Sequence, residues 1–505
     1  MSENKNTAPP FPRTPKMADA YIRENLKKRN DRYRPAYHAA VPLGWANDPN
    51  GSIWYNGRMH LFYQHNPYAP SWDLMHWGHM ASSDFARWED LPVALGPDMP
   101  YEALGGCFSG TALEKDGRLY LMYTATTEHQ QQCLAVSDDG IYFEKHPDNP
   151  VIPYTLVPEG FSDVDIRDPK LFEHEGRFYC LLGTKDKNGF GNILLFTSGD
   201  LLSWQAVGPL FTPDDPEADN YLAVTCVCEC PDWRQLSGTE LLLFSPERFP
   251  QEGTMYENAH CSVYMTGTLD FETGRFSYRT MGEIDGGFDF YAPQSFSMPD
   301  GRSILIGWKE MWGRSFPTFE DGWVGSFTLP RELSVKGGQL IQKPARELQA
   351  LRANPVSFEN VPLPAGSILS LPGIVGNNVE LEAEIDMKGA KKAGLSVFAG
   401  TGRETDIYYD AEKGFLIFDR AASGTDITGD EENTSVRSAR LSLDDNRLHL
   451  HLFLDVSCLE IFAEDGKAVL TGNIYADPAA DTGIFFYAEG GDAIITRIIK
   501  YDLAV

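Results

Sequence analysis

The sequence predicts an all-β chain, a five-bladed β-propeller followed by a C-terminal β-sandwich. From about residue 37 to about residue 335, short β-runs are separated by Asp-Gly, Asn-Gly and Glu-Gly turns, with no long amphipathic helix among them. The same span repeats itself. Ser83–Trp88, Ser137–Phe143 and Ser198–Trp204 each read as a strand end, a turn and an aromatic that opens the next strand; their aromatics lie 55 and 61 residues apart, and Thr268–Phe276 is a looser fourth copy. Roughly 300 residues divided by a period near 58 gives about five units, each long enough for several strands, which suits blades around an axis. Beyond about Val356, strands with apolar and polar residues in alternation return, as half-buried strands of a sandwich require.

At 505 residues the chain exceeds the usual size of one domain. Residues 1–36 form an N-terminal extension in which Ala18, Tyr21, Ile22 and Leu26 give the segment Met17–Lys28 the stripe of a short helix. Residues 37–335 are the propeller, with strands such as Leu119–Tyr123, Arg177–Leu182, Ile193–Phe196, Glu240–Phe244 and Ser303–Trp308. Residues 336–355 read as a linker whose short helix, Pro344–Arg352, begins on a proline suited to a first helical turn. Residues 356–505 are the sandwich, exemplified by Val379–Ile385 and His449–Leu454.

Composition excludes several classes of partner. A net charge of −29 argues against nucleic acid and anionic membrane, and no segment has the long uncharged run of a transmembrane helix. Met1–Lys16 is polar and Pro-rich without the apolar core of an export signal, so the cytoplasm is the expected location. Eight cysteines in so long a chain are too sparse for a disulfide scaffold and are expected to stay as thiols. Cys226, Cys228 and Cys230, with His260 and Cys261 further on, invite a metal reading. Strand alternation instead sets the three cysteines on one packed face and Glu229 on the other, and it sends His76 and His79 to opposite faces, so neither a metal nor any other cofactor is expected.

The chain is organised around Trp45-Ala46-Asn47-Asp48-Pro49-Asn50-Gly51, which leads into a hairpin turned by Asn56-Gly57. Asp48 sits where the chain enters its first strand, among side chains that can hold its carboxylate in one orientation. Two later motifs, Ile166-Arg167-Asp168-Pro169-Lys170 and Val227-Cys228-Glu229-Cys230-Pro231-Asp232, again place a carboxylate close to a proline beside a strand. Their order and separation resemble glycoside hydrolase family 32, the family of invertases, sucrose-6-phosphate hydrolases and fructanases. Further matching motifs are Phe62–Pro67, His76–His79, Trp88–Pro92, Phe108–Gly110, Tyr291–Gln294 and Leu454–Phe462, so the resemblance covers nearly the whole chain.

The resemblance implies a five-bladed propeller with a sandwich behind it, and roles for the three acids. Asp48 is the expected nucleophile on the fructosyl C2 and Glu229 the acid/base; Asp168 is expected to grip fructose hydroxyls, and Arg167 to orient Asp168 or Glu229. Retaining glycosidases hold such a carboxylate pair about 5 to 5.5 Å apart. By motif, Asn47, Gln64, Trp72, Phe108, Ser109 and Trp308 join Arg167 as substrate-contacting residues, while Tyr291 and Gln294 either shape the pocket or pack behind it. The implied activity is a retaining, exo-acting β-fructofuranosidase on sucrose and short fructo-oligosaccharides. Sucrose-6-phosphate hydrolysis, fructosyl transfer and non-catalytic fructan binding are the alternatives. A phosphate subsite would need a local cation, for which Arg248, Lys309 and Arg314 lie in suitable blades. The partner is thus a small sugar, and assembly into a homo-oligomer is left open.

Overall fold

A computed structural model describes residues 8–212, 222, 226–431 and 433–504. The N-terminal helix spans Pro15–Asn25, opened by Thr14, whose Oγ1 accepts a bond from the Met17 N–H, and by Pro15 in its first turn; it buries Ala18 and passes into a 3₁₀ turn at Leu26–Lys28.

Five four-stranded antiparallel blades follow. Their first strands are Gly44–Tyr55, Gly106–Lys115, Phe161–His174, Cys228–Leu236 and Tyr291–Ser297. Each first strand touches the first strand of the next blade, and the fifth touches the first, so these five surround the central axis. The ring is closed by Trp323–Val324, which leaves the fifth blade and pairs in parallel with Gly44 and Trp45.

Every one of these five strands breaks its pleat at the same level. Extra residues bulge out against the neighbouring strand at Asn47-Asp48, Ser109, Asp168-Pro169, Cys230-Pro231 and Ala292-Pro293. Asp48, Ser109, Asp168, Cys230 and Ala292 are 61, 59, 62 and 62 residues apart, which is the repeat of the fold read at its centre. Four of the five are followed by proline, which has no N–H to offer a ladder and is tolerated at bulges. The fifth is followed by Gly110, where a Cβ would lie 1.9 Å from the Met122 carbonyl oxygen. Asp168, Cys230 and Ala292 adopt positive φ of 60°, 48° and 49°, a region that costs a non-glycine residue energy and is retained where the surroundings impose it.

The C-terminal sandwich packs two six-stranded sheets around Leu381, Ile385, Leu395, Phe418, Leu452, Ile461 and Ile495. A second apolar cluster runs across both domains, joining Phe296, Ile304 and Phe327 of the propeller to Phe453, Phe462 and Tyr475 of the sandwich. Beside it, the fully buried Arg331 donates to Glu460 Oε2 at 2.7 Å and Asp285 Oδ2 at 2.9 Å. His38 bridges Asp455 and Glu460 at 2.8 and 3.1 Å.

The boundaries between domains differ from those the sequence suggests. Gly337-Gly338, both at positive φ, turn the chain into a further hairpin strand, Gln339–Pro344, which completes blade five beyond residue 335. The connecting helix is a six-residue 3₁₀ segment, Arg346–Leu351, and the first sandwich strand starts at Arg352, inside the segment expected as linker. So short a connection, with Leu348 and Leu351 buried, joins the domains tightly.

Arg331→Met would strand Asp285 and Glu460 without the cation they share, and the expected cost is about 3 to 5 kcal/mol. Guanidinium unfolding of the full chain should report it as a lowered midpoint; a variant as stable as the wild type would refute it.

Candidate active site

The bulges converge on a cavity of about 460 Å³ at the propeller's axis. Asp48, Asp168 and Glu229 all line it, together with Asn47, Gln64, Trp72, Phe108, Ser109 and Arg167. Residues drawn from four blades therefore meet in one space.

Each carboxylate is held by its local sequence. Asp48 Oδ2 accepts from Ser109 Oγ at 2.6 Å and its Oδ1 from Asn47 Nδ2 at 3.0 Å, while Asn47 Oδ1 is itself fixed by Trp45 Nε1 at 2.8 Å. Asp168 Oδ2 accepts the Cys230 N–H at 3.0 Å, and its own N–H donates to Thr124 Oγ1 at 3.1 Å. Glu229 is gripped from both sides: Arg167 Nε donates to Oε1 at 2.9 Å and the Tyr291 hydroxyl to Oε2 at 2.5 Å. Arg167 thus orients Glu229, and it also reaches Glu247 at 3.3 Å and Asp165 at 3.4 Å. Oxygens of Asp48 and Asp168 and the Cys230 sulfur all lie within 4.8 Å of one another.

Crowding of like charge in a dry site raises the carboxyl pKa values. Burial and then the Glu229 charge push Asp48 above its ordinary range, against the opposing bonds from Ser109 and Asn47. Burial, Glu229 and Asp48 push Asp168 up to about 7 even though Arg167 pulls the other way. Glu247 is raised by burial and by Glu229. Burial and the adjoining Glu229 carboxylate likewise push the Tyr291 phenol up, so it remains a donor.

The remaining polar residues are set from behind. Gln64 Nε2 donates to the Cys107 carbonyl at 2.9 Å, and Gln294 Nε2 reaches the Gly110 carbonyl at 2.6 Å, so Gln294 braces the bulge of blade two while Tyr291 acts on Glu229. Trp72, 47 % exposed, stands edge-on to Phe108 with ring centres 6.0 Å apart at the rim.

Two expectations are corrected. Trp308 does not line the cavity: it ends the second strand of blade five, is fully buried, and packs edge-on behind Trp45 and Trp312 at 5.8 and 5.1 Å. Trp312, four residues on in the following loop, lines the cavity in its place, alongside Trp72. Nor does Cys230 face away from the acids. Its positive φ and the bulge reset the alternation, and its Sγ lies 3.6 Å from Asp48 Oδ2 and 3.7 Å from Asp168 Oδ2, at the floor of the site.

Gln130, Glu247, His260 and Trp312 line the cavity without having been singled out as substrate contacts. Gln130 receives the Ile166 N–H and so steadies the strand of Asp168. Trp312 and His260 lie in loops, where no period marks a residue as inward-facing. Glu247 follows Pro246 at a strand end, a signal no stronger than that of many surface acids.

Paired carboxylates in a pocket at the hub of a propeller define the chain as a glycoside hydrolase. It belongs to glycosyl hydrolases family 32: the family's N-terminal domain model matches residues 38–344 and its C-terminal model residues 347–502. The chain is 35 % identical to the sucrose-6-phosphate hydrolase of Escherichia coli over 93 % of its length and 94 % of the relative's, and 34 % identical to the raffinose invertase of Escherichia coli over 95 % and 97 %. Among solved structures it is similar to the GH32 β-fructofuranosidase BmSUC1 of Bombyx mori, with a TM-score of 0.81, 32 % identity and coverage of 97 % of this chain and 98 % of that one. The sucrose-6-phosphate hydrolase of Lactobacillus gasseri gives a TM-score of 0.84 at 28 % identity, with 98 % and 100 % covered.

Because Asp168 ionises near 7 in the folded chain but near its ordinary 3.8 when unfolded, stability present below about pH 4 is lost as pH rises toward 7. Asp168→Asn, which keeps an acceptor for Cys230, should therefore melt higher than the wild type at pH 8, with the gap closing toward pH 4. Thermal scans across that range check it, and a less stable variant at pH 8 would contradict it.

Proposed function

We propose that this family 32 enzyme removes the terminal β-fructosyl unit of sucrose and short fructo-oligosaccharides with retention of configuration. One observation carries the reading: Asp48 and Glu229, from the first and fourth blades, are each locked by two side-chain bonds and turned into the same cavity. In the first step an Asp48 oxygen attacks the fructosyl C2 while the C2–O bond to the leaving sugar breaks and Glu229 gives that oxygen its proton. In the second step Glu229 takes a proton from water, which attacks C2 and releases fructose from Asp48. Burial and the neighbouring carboxylates raise Asp48, Asp168 and Glu247, with Asp168 pushed up to about 7, an environment that favours the protonated form of these acids. Asp168 and Asn47 would hold the fructose hydroxyls, and bonds that tighten as charge develops at C2 favour the transition state.

The cavity also supports exo action on an uncharged sugar. Asn47, Asp48, Gln64, Ser109 and Asp168 are buried at its depth while Trp72 is exposed at its rim, so a chain end enters first. Among the described lining residues Arg167 is the one Lys or Arg, and its guanidinium faces Glu229, Glu247 and Asp165. Two of the three candidate phosphate cations are committed elsewhere: Lys309 is buried against Asn473, and Arg314 is tied to Asp289 and Glu431. Sucrose 6-phosphate remains the second reading, because Arg248 is exposed next to the cavity-lining Glu247 and relatives of this chain carry that activity in their names.

We place the enzyme in the cytoplasm. All eight cysteines are free thiols, seven of them buried, which suits a reducing compartment. No helix among the described residues is long and apolar enough to cross a membrane.

Asp48→Asn and Glu229→Gln should each lower kcat on sucrose by about 10² to 10⁴-fold or more, and early NMR spectra of the wild-type reaction should show the β-anomer of fructose first. An inverted first product would remove Asp48 from the nucleophile role. Side by side, kcat/KM should favour sucrose and 1-kestose over sucrose 6-phosphate; a hundredfold preference for the phosphorylated sugar, about 2.7 kcal/mol, would establish the second reading instead.

A further inference from the structure

We infer that Glu431, a residue of the sandwich domain, is a positioning residue for the leaving-group wall of the active site. The loop carrying it joins strands Phe415–Asp419 and Val436–Arg440 and reaches back onto the propeller. There Thr428 accepts the Ser315 N–H at 3.0 Å, and Asp430 sits so close to Gly313 that a Cβ on that glycine would lie 2.5 Å from its Oδ2.

Glu431 grips two propeller loops at once. Its Oε1 accepts from Arg314 Nη2 at 2.6 Å and from the Ala259 N–H at 3.3 Å, and its Oε2 accepts from Arg314 Nε at 3.2 Å. Both side chains are almost wholly buried, and Arg314 continues to Asp289 at 2.7 Å and Asn258 at 3.1 Å. The two gripped points flank the cavity wall: Ala259 precedes His260, and Arg314 lies two residues beyond Trp312. The grip on the first loop carries on to the catalytic acid, because His260 pairs through the backbone with Glu247, and Glu247 accepts from Arg167, which holds Glu229.

His260 and Trp312 are partly exposed at the cavity mouth, and the His260 ring lies 5.7 Å from the ring of Tyr291, the phenol bonded to Glu229. The acid donates to the leaving oxygen, so the wall on its side of the mouth receives the leaving sugar. A buried, doubly bonded carboxylate from another domain is a rigid way to fix two loops that, among the described residues, have no strand pairing with each other. Its effect on rate would come from placing the leaving sugar against its acid, where small displacements are costly. The inference rests on the proposed β-fructofuranosidase reading.

The test compares sucrose with methyl β-D-fructofuranoside, whose leaving group has no ring to meet His260 or Trp312. In the full-length protein Glu431→Gln should lower kcat/KM for sucrose by about tenfold and for the methyl glycoside by less than about twofold. The same substitution should cost nothing further when added to a His260→Ala/Trp312→Ala variant, and Arg314→Lys, which keeps the buried charge but loses the fork, should give the same split between substrates if Glu431→Gln does not fold. Equal losses on both substrates, no loss on either, or a full additional loss in the double-alanine background would overturn the inference. A wild type inert toward both substrates would instead refute the reading beneath it.

Discussion

Four carboxylates, Asp48, Asp168, Glu229 and Glu247, share one cavity with the guanidinium of Arg167, and the fold has to hold them there against their mutual repulsion. Burial makes each charge harder to sustain, and the raised pKa values of three of them record that strain. The arrangement persists because every acid is tied to a different part of the molecule. Ser109 of blade two holds an acid of blade one, the backbone of blade four holds an acid of blade three, and Arg167 of blade three with Tyr291 of blade five holds an acid of blade four. No carboxylate can move away without loosening an interface between blades.

Beneath the acids a second level of contacts also runs from blade to blade, here through a charge-matched pair. Lys170 donates to Asp232 at 3.0 Å and to the Ser295 carbonyl at 2.7 Å, linking blades three, four and five just beyond their bulges. The bulges connect these levels. A flat strand would send neighbouring residues to opposite faces; a bulge lets Asp168 and Cys230 turn toward the axis while Lys170 and Asp232 still lock the blades behind them.

The sandwich takes part in this economy through two buried charge clusters. Around Arg331, Asp285, Glu460 and His38 it is tied to the propeller by buried ion pairs, and around Arg314, Asp289, Arg420 and Glu431 it supports the loops near the cavity mouth. Such desolvated networks add little net stability but penalise any arrangement in which a partner is missing. They therefore favour one relative placement of the domains, and with it one shape of the wall that holds His260 and Trp312.

Local chemistry was enough to read much of this from the sequence. Turn dipeptides and a period near 60 residues specify an all-β repeat, and Asp48, Asp168 and Glu229 stand out because each lies beside or one residue from a proline that can occupy only a few places in a sheet. These signals span a few residues and need no knowledge of distant neighbours. Tertiary structure alone decided the rest. Alternation assigned Cys230 to the wrong face because a bulge cancels the two-residue period, and Trp312 lines the cavity where Trp308 was expected because Trp308 is buried against Trp45, more than 250 residues away in the chain. Glu247, His260 and Glu431 carry no motif; they acquire meaning only when loops from blades four and five and the sandwich are brought together, a contact set by the packing of whole domains rather than by any local preference.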